Sequence, residues 1–180
     1  MNMRKPERRL FLSREENLKR IRYIADYQFG RGAGKALFPD SVRFLVSPKT
    51  GRVRQIVDEG IRIATIKPSS GLFSLSIEGA RRLHSLFPFP NLRVVVLSEV
   101  SEFIAEGKNV FARHVIDVDR GIRAEDEVIV VDENDNLLAT GRAVLGAIEM
   151  LSFERGVAVN VRAGVGKKGV KEERGEGRKG

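Results

Sequence analysis

The sequence has no cysteine and no tryptophan, and only two histidines in 180 residues. Without cysteine there is no disulfide, no thiolate zinc site and no thiol nucleophile, and the cytoplasm is the expected compartment. Nowhere do the roughly eighteen apolar residues of a membrane span run together, so no membrane partner is expected. The opening MNMRKPERRLFL is basic but lacks the apolar core of a signal peptide. His84 reads as a boundary residue on a helix, and His114 as a strand residue with no second histidine near it, so neither a metal nor a cofactor is expected. No serine sits in a glycine-framed nucleophile elbow. The acidic runs Glu125–Glu127 and Asp132–Asp135 read as solvated turns and not as paired catalytic carboxylates. No active site assembles from these residues, and the expectation is a binding protein without catalysis.

What the chain does have is positive charge, with a formal net of +8 and a pI near 10.1. Its distribution is uneven. Residues 1–9 carry a net +3, and residues 10–91 hold fourteen basic and seven acidic side chains. Residues 92–166 reverse this, with eight basic and thirteen acidic, and residues 167–180 return to a net +3. Any phosphate-binding surface must therefore lean on the first half and the ends.

The reading along the chain gives an α+β protein. Residues 1–11 form a basic arm. Ser13 and Glu16 make a capping box, followed by an apolar stripe of Leu18, Ile21, Ile24 and Ala25. Lys19, Arg20 and Arg22 fall on the opposite arc, and the helix should end near Gly30. From Ser41 the period becomes two, predicting strands at Val42–Ser47, Arg52–Val57, Ile61–Ile66 and Leu72–Ile77. A helix is expected over Glu78–Phe87, and the prolines and asparagine at 88–91 mark a domain boundary, giving a first domain of residues 12–90.

The second domain, residues 91–165, is mostly strand. Leu92–Leu97 reads as an apolar strand, and Val100, Phe103 and Ile104 mark a short helix closed by Gly107. Strands follow at Val110–Val118, Glu127–Val131, Leu137–Val144 and Val157–Arg162, with a polar turn at Asp132–Asn136. Many short strands with short helices predict a compact barrel-like domain. The charged tail, residues 166–180, has almost nothing to bury and is expected to be disordered.

The glycine-rich stretch FGRGAGKALF at 29–38 is not a triphosphate-binding loop. Phe29 and Ala36 stand where that motif needs a glycine and a metal-binding hydroxyl, and a helix leads into it where a strand is needed. A flexible connection carrying Arg31 and Lys35 is expected, with a phosphate-backbone contact as the second reading.

Residues 107–115, Gly-Lys-Asn-Val-Phe-Ala-Arg-His-Val, follow the short helix. Downstream come DEVIVV at 126–131, LATGRA at 138–143 and GVAV at 156–159. This order resembles the PUA domain, a small pseudo-β-barrel that binds RNA. Upstream, IRYIADYQFGRGAGKALFPD, SPKTGRVRQI and SSGLFSLSIEGARRLH resemble the pre-PUA domain of archaeosine tRNA-guanine transglycosylase, an antiparallel sheet with helices. EMLSFERGVAVNVR resembles that enzyme's C-terminus. The resemblance spans roughly residues 12–163. It implies an archaeal, free-standing pre-PUA plus PUA module, without the enzyme's catalytic barrel and cysteine-rich zinc site. It also implies RNA contacts at Gly107, Lys108, Asn109, Val110, Phe111 and Arg113, with Arg142 and Arg162 as weaker candidates.

The implied ligand is tRNA, gripped near its acceptor stem, and the implied role is an accessory to tRNA modification, alone or docked to a separate modification enzyme. Lys108, Arg113, Arg31 and Lys35 would neutralise phosphates, with Lys19, Arg20 and Arg22 as further candidates or simply a solvated face. Phe111, alternating with Val110 and Ala112, reads first as core and second as a stacking surface for a terminal base. Arg113 should point outward, either free or paired with a nearby acid. Ribosomal RNA is the alternative ligand, and a protein-interaction adaptor with a PUA-like fold is the alternative class.

Overall fold

The computed structural model describes residues 12–166. The expectations for the basic arm (1–11) and for the tail beyond Gly166 lie outside the described residues. Helix α1 runs Arg14–Phe29 and begins on the expected capping box: the Glu16 amide donates to Ser13 Oγ at 3.2 Å, and the Ser13 amide donates to the Glu16 carboxylate at 2.7 Å. Leu18, Ile21, Ala25 and Phe29, three or four residues apart, form its buried side. Arg22 departs from the expected exposed arc. It sits on the flank, where Nε donates to the Phe38 carbonyl at 2.8 Å and Nη2 pairs with Asp40 at 2.9 Å.

The glycine-rich stretch is not a flexible connection. Ala33–Leu37 is a short helix, α2, packed hard against α1. A Cβ on Gly34 would lie 2.4 Å from the Arg22 carbonyl oxygen, so only glycine permits this approach. The amides of Gly32 and Gly34 donate to Asp26 Oδ1 at 3.1 and 2.7 Å. A carboxylate of the chain itself already holds the amides that a phosphate would have used.

Four strands follow: β1 (Arg43–Val46), β2 (Val53–Asp58), β3 (Ile61–Ile66) and β4 (Phe73–Leu75), paired antiparallel in that order. β4 is shorter than expected because Ser76 leaves the strand to cap α3 (Ile77–Leu86), accepting from the Gly79 amide at 3.1 Å. Phe38 and Phe73 meet at a centroid separation of 5.1 Å in the core between helices and sheet. Arg82 of α3 closes this layer, donating to the Leu37 carbonyl at 3.0 Å and to Asp58 at 2.8 Å. The hydrogen bond from Ser41, with Arg82 beside it, holds the Asp58 carboxyl below its ordinary range.

The second half contains β5 (Arg93–Val96), α4 (Ser101–Ala105), β6 (Val110–Phe111), β7 (Val115–Val118), β8 (Glu127–Val131), β9 (Leu137–Ala143), α5 (Ala147–Ser152) and β10 (Val157–Gly164). The sheet order is β6-β10-β9-β8-β5-β7, antiparallel except for the parallel pair β5–β8. The expected strand Val110–Val118 is broken by a 3₁₀ turn at Ala112–His114, so His114 lies in a turn and not inside a strand. Helix α5 has no counterpart in the sequence reading. The Asp132–Asn136 turn is as expected, with Asp132 accepting from the amides of Asn134 and Asn136 at 2.9 Å each. The architecture is thus an α+β layer followed by a nearly closed barrel-like sheet.

The continuous apolar character of β5 and β8 has a structural cause. Val94, Val96, Val128 and Val130 point into the core of the second half, while Val95, Ile129 and Val131 join the core of the first. Alternate residues of one strand thus serve two cores. The run at Leu92–Leu97 also contains one deeply buried cation. Arg93 donates to the carbonyls of Asn91 and His84, both at 2.8 Å, and to Asp135 at 3.2 Å. These bonds tie α3, the connecting segment and the β8–β9 turn together.

Candidate nucleic-acid interface

Helix α4 ends in a rigid turn. Gly107 sits at φ 93°, its amide donates to the Ile104 carbonyl at 2.9 Å, and the Lys108 amide donates to the Phe103 carbonyl at 3.0 Å. That pair of bonds is a Schellman motif, which needs a left-handed residue where glycine stands. Lys108 emerges exposed directly after it. Asn109 accepts the Val161 amide at 3.0 Å and so pins the loop to β10. Val110 is fully buried, which corrects its place among the contact residues: its side chain packs and is closed to a ligand.

Phe111 is the opposite case. Its reading as core is overturned, because 45% of the residue is exposed. The 3₁₀ turn that follows rotates Ala112 inward and leaves Phe111 facing solvent. Arg113 is exposed as expected, and its Nε lies 3.1 Å from His114 Nε2, with no carboxylate partner among the described residues. Lys108, Phe111 and Arg113 thus present two cations and an aromatic ring on one stiff loop.

Arg142 and Arg162 are placed differently. They line a cleft of about 330 Å³ between the two halves, together with Lys67, Ser70 and Ser74. Arg142 is paired with Glu125 at 2.8 Å. Arg162 donates to both oxygens of Glu127, at 2.8 and 2.7 Å, and Lys67 approaches the same carboxylate at 3.5 Å. The Leu75 amide of the first sheet also donates to Glu127, at 2.9 Å. Burial pushes the Glu127 carboxyl above its ordinary range, against the pull of Arg162, the Leu75 amide and Lys67. The cleft is an ion network that joins the halves, and its cations already have anions. Glu127, read from the sequence as part of a solvated acidic turn, is instead buried at the start of β8, because its pairing with Arg162 and Lys67 joins distant segments and leaves no local pattern.

The remaining candidates, Lys19, Arg20, Arg31 and Lys35, are exposed. The structure does not bring them to the Gly107–Arg113 loop through any hydrogen bond or ion pair among the described residues. Nor does any group of three or more His, Asp and Glu side chains there converge as metal ligands would.

Comparison with known proteins matches two families in tandem. The patch-forming domain C2 of tRNA-guanine transglycosylase matches residues 19–90, and the PUA domain matches residues 92–165. The tRNA-guanine(15) transglycosylase of Thermococcus kodakarensis is 50% identical over 152 residues, which are 84% of this chain and 26% of the relative. The chain spans about a quarter of the length of the curated relatives it matches. Among solved structures, a hypothetical protein from Pyrococcus horikoshii superposes with a TM-score of 0.67 at 24% identity, covering 87% of this chain and 94% of the other. A conserved PUA domain protein from Thermoplasma acidophilum gives 0.59 at 19%, covering 87% and 93%. At these identities the two structures speak for the fold alone.

Proposed function

Because the chain joins a C2-type (pre-PUA) domain to a PUA domain, as the C-terminal region of archaeal tRNA-guanine transglycosylases does, we propose that it is a non-catalytic RNA-binding module whose ligand is tRNA. We take the boundary between its domains to lie near Asn91. The observation that carries the reading is the loop Gly107–Arg113. Its Schellman turn and the Asn109 bond to β10 fix the backbone, while Lys108, Phe111 and Arg113 stand exposed. Cations for phosphates and a ring for an unpaired terminal base suit the end of a tRNA acceptor stem. Base exchange would be the work of a separate modification enzyme, and the role here is to hold and orient RNA for it.

The second half holds five more acidic than basic side chains. Bulk attraction there is unfavourable, so its grip must be local, and long-range steering falls to the first half. The test is a binding titration with unfractionated tRNA and with ribosomal RNA at two salt concentrations. Lys108→Glu combined with Arg113→Glu should weaken tRNA binding at least about tenfold, or roughly 1.4 kcal/mol. Equal binding by the double variant would remove this loop from the interface, and tighter binding of ribosomal RNA would replace the ligand.

A further inference from the structure

A groove far from the loop in sequence gathers several basic side chains. It occupies about 560 Å³ between the N-terminal half of α1 and the turn joining β1 to β2, and its lining includes Asn17, Arg20, Lys49, Thr50 and Arg52. No acidic residue lines it. Among the described residues the side chains of Arg20, Lys49 and Arg52 make no ion pair and no hydrogen bond. Three unpaired cations around one concave surface repel one another, an arrangement that an anion relieves.

Helix α1 extends this surface. Tyr23 and Tyr27 are 73% and 85% exposed, and they are the only tyrosines of the chain. At 3.6 residues per turn, Arg20, Tyr23 and Tyr27 fall within an arc of about 60° on the side opposite the buried stripe. Lys19 lies one turn before Tyr23 at the edge of the same face. A single exposed ring on a surface needs no explanation. Two rings one turn apart, leading into a groove of unpaired cations, form the combination that reads single-stranded nucleic acid: rings stack on unpaired bases while cations follow the phosphates.

We propose that this groove and the Tyr23–Tyr27 face seat a single-stranded segment of RNA, with phosphates on Arg20, Lys49 and Arg52 and bases stacked on the two tyrosines. The proposal rests on the RNA reading above and adds to it a second contact, in the first domain and independent of the Gly107–Arg113 loop. A protein partner is the less favoured occupant, since a groove lined by three cations and no carboxylate invites phosphates first.

The test uses the full chain with two probes, a twelve-nucleotide single-stranded RNA and a blunt duplex of the same length, titrated at several salt concentrations. Tyr23→Ala with Tyr27→Ala should weaken single-strand binding about tenfold and leave duplex binding within about twofold, while Tyr23→Phe with Tyr27→Phe should bind as the parent does. Arg20→Gln, Lys49→Gln and Arg52→Gln together should lower the logarithmic salt slope for the single strand by about 2. All these side chains are exposed or free of partners, so an unchanged thermal midpoint should accompany each result. Unchanged single-strand binding by the alanine pair would overturn the proposal, and so would equal losses on both probes. If tRNA binding then fell only in Lys108→Glu with Arg113→Glu, the RNA reading would stand without the groove. Failure of the parent chain to bind any RNA would overturn both.

Discussion

The junction cleft and the α1 groove each gather three cations, yet they differ in what those cations are doing. In the cleft, Arg162 and Lys67 hold the fully buried Glu127 carboxylate, and Arg142 holds Glu125. In the groove, Arg20, Lys49 and Arg52 hold no acid among the described residues. A count of basic residues does not separate these cases, and the total charge of +8 hides both. Removing the cleft's ions should therefore be felt in stability, and removing the groove's in binding. Arg22, Arg82 and Arg93 fall on the same side of the comparison as the cleft, since each donates to backbone carbonyls and to carboxylates that join neighbouring elements.

The largest expected effect tests the cleft. Glu127→Ala leaves the Leu75 amide without its acceptor and strips the anion from Arg162 and Lys67, whose side chains are 34% and 23% exposed. Partial access to water softens that loss, so the expected destabilisation is about 2 kcal/mol and not the larger figure for a fully buried pair. Lys49→Ala should change stability by less than about 0.5 kcal/mol. Urea unfolding of the two variants checks the contrast. Equal midpoints would mean that the Glu127 network contributes nothing to joining the halves.

How much of this was readable beforehand follows the range of the interactions involved. Helix α1 was legible because its signals are local: the capping box spans four residues, Ser13 to Glu16, and the stripe repeats within each turn. Strand β8 was legible because burial on both faces writes an unbroken apolar run. Helix α2 was not, since five residues with a glycine among them cannot hold a helix by themselves. It exists because Gly34 fits against α1 and because Arg22 and Arg82 hold its C-terminal end. The same limit applies to the candidate site. The family resemblance pointed to the loop after α4, but the sequence reading placed Phe111 in the core, because a two-residue alternation was carried through a segment that turns at Ala112. Arg162 and Glu127 are 35 residues apart, so nothing local announces their pairing. The strands on either side of Lys49 were also foreseen, with Arg52 opening the second, but not the place of these residues beside Arg20.

Binding tests the other side of the comparison, with an effect of intermediate size. Arg52→Gln should lower the affinity for single-stranded RNA two- to fivefold and reduce the logarithmic salt slope by about 0.7, since one phosphate contact is lost. Arg142→Gln should leave that slope unchanged, because its charge already faces Glu125 at 2.8 Å. A slope that fell for Arg142→Gln as well would show that the cleft's ion pairs open to admit phosphate, and the distinction between the two regions would fail.

The smallest effect is a pH dependence peculiar to the cleft. Burial raises the Glu127 carboxyl above its ordinary value of 4.5, so folding favours its protonated form. The stability this confers is fully present below about pH 4.5 and is lost as pH rises through the higher value in the folded protein. Asp58 and Asp132 work in the opposite sense, since both are held below 3.8, and their contribution fades only as pH falls through that lower range. Glu127→Gln keeps an acceptor for the Leu75 amide but cannot titrate. The difference in unfolding free energy between parent and Glu127→Gln should therefore favour the parent most near pH 4, decline as pH rises, and then level off. A flat difference from pH 4 to 8 would mean that Arg162 and Lys67 fully offset the cost of burying the charge. The cleft would then be an ion network balanced to neutrality, with no preference for the proton.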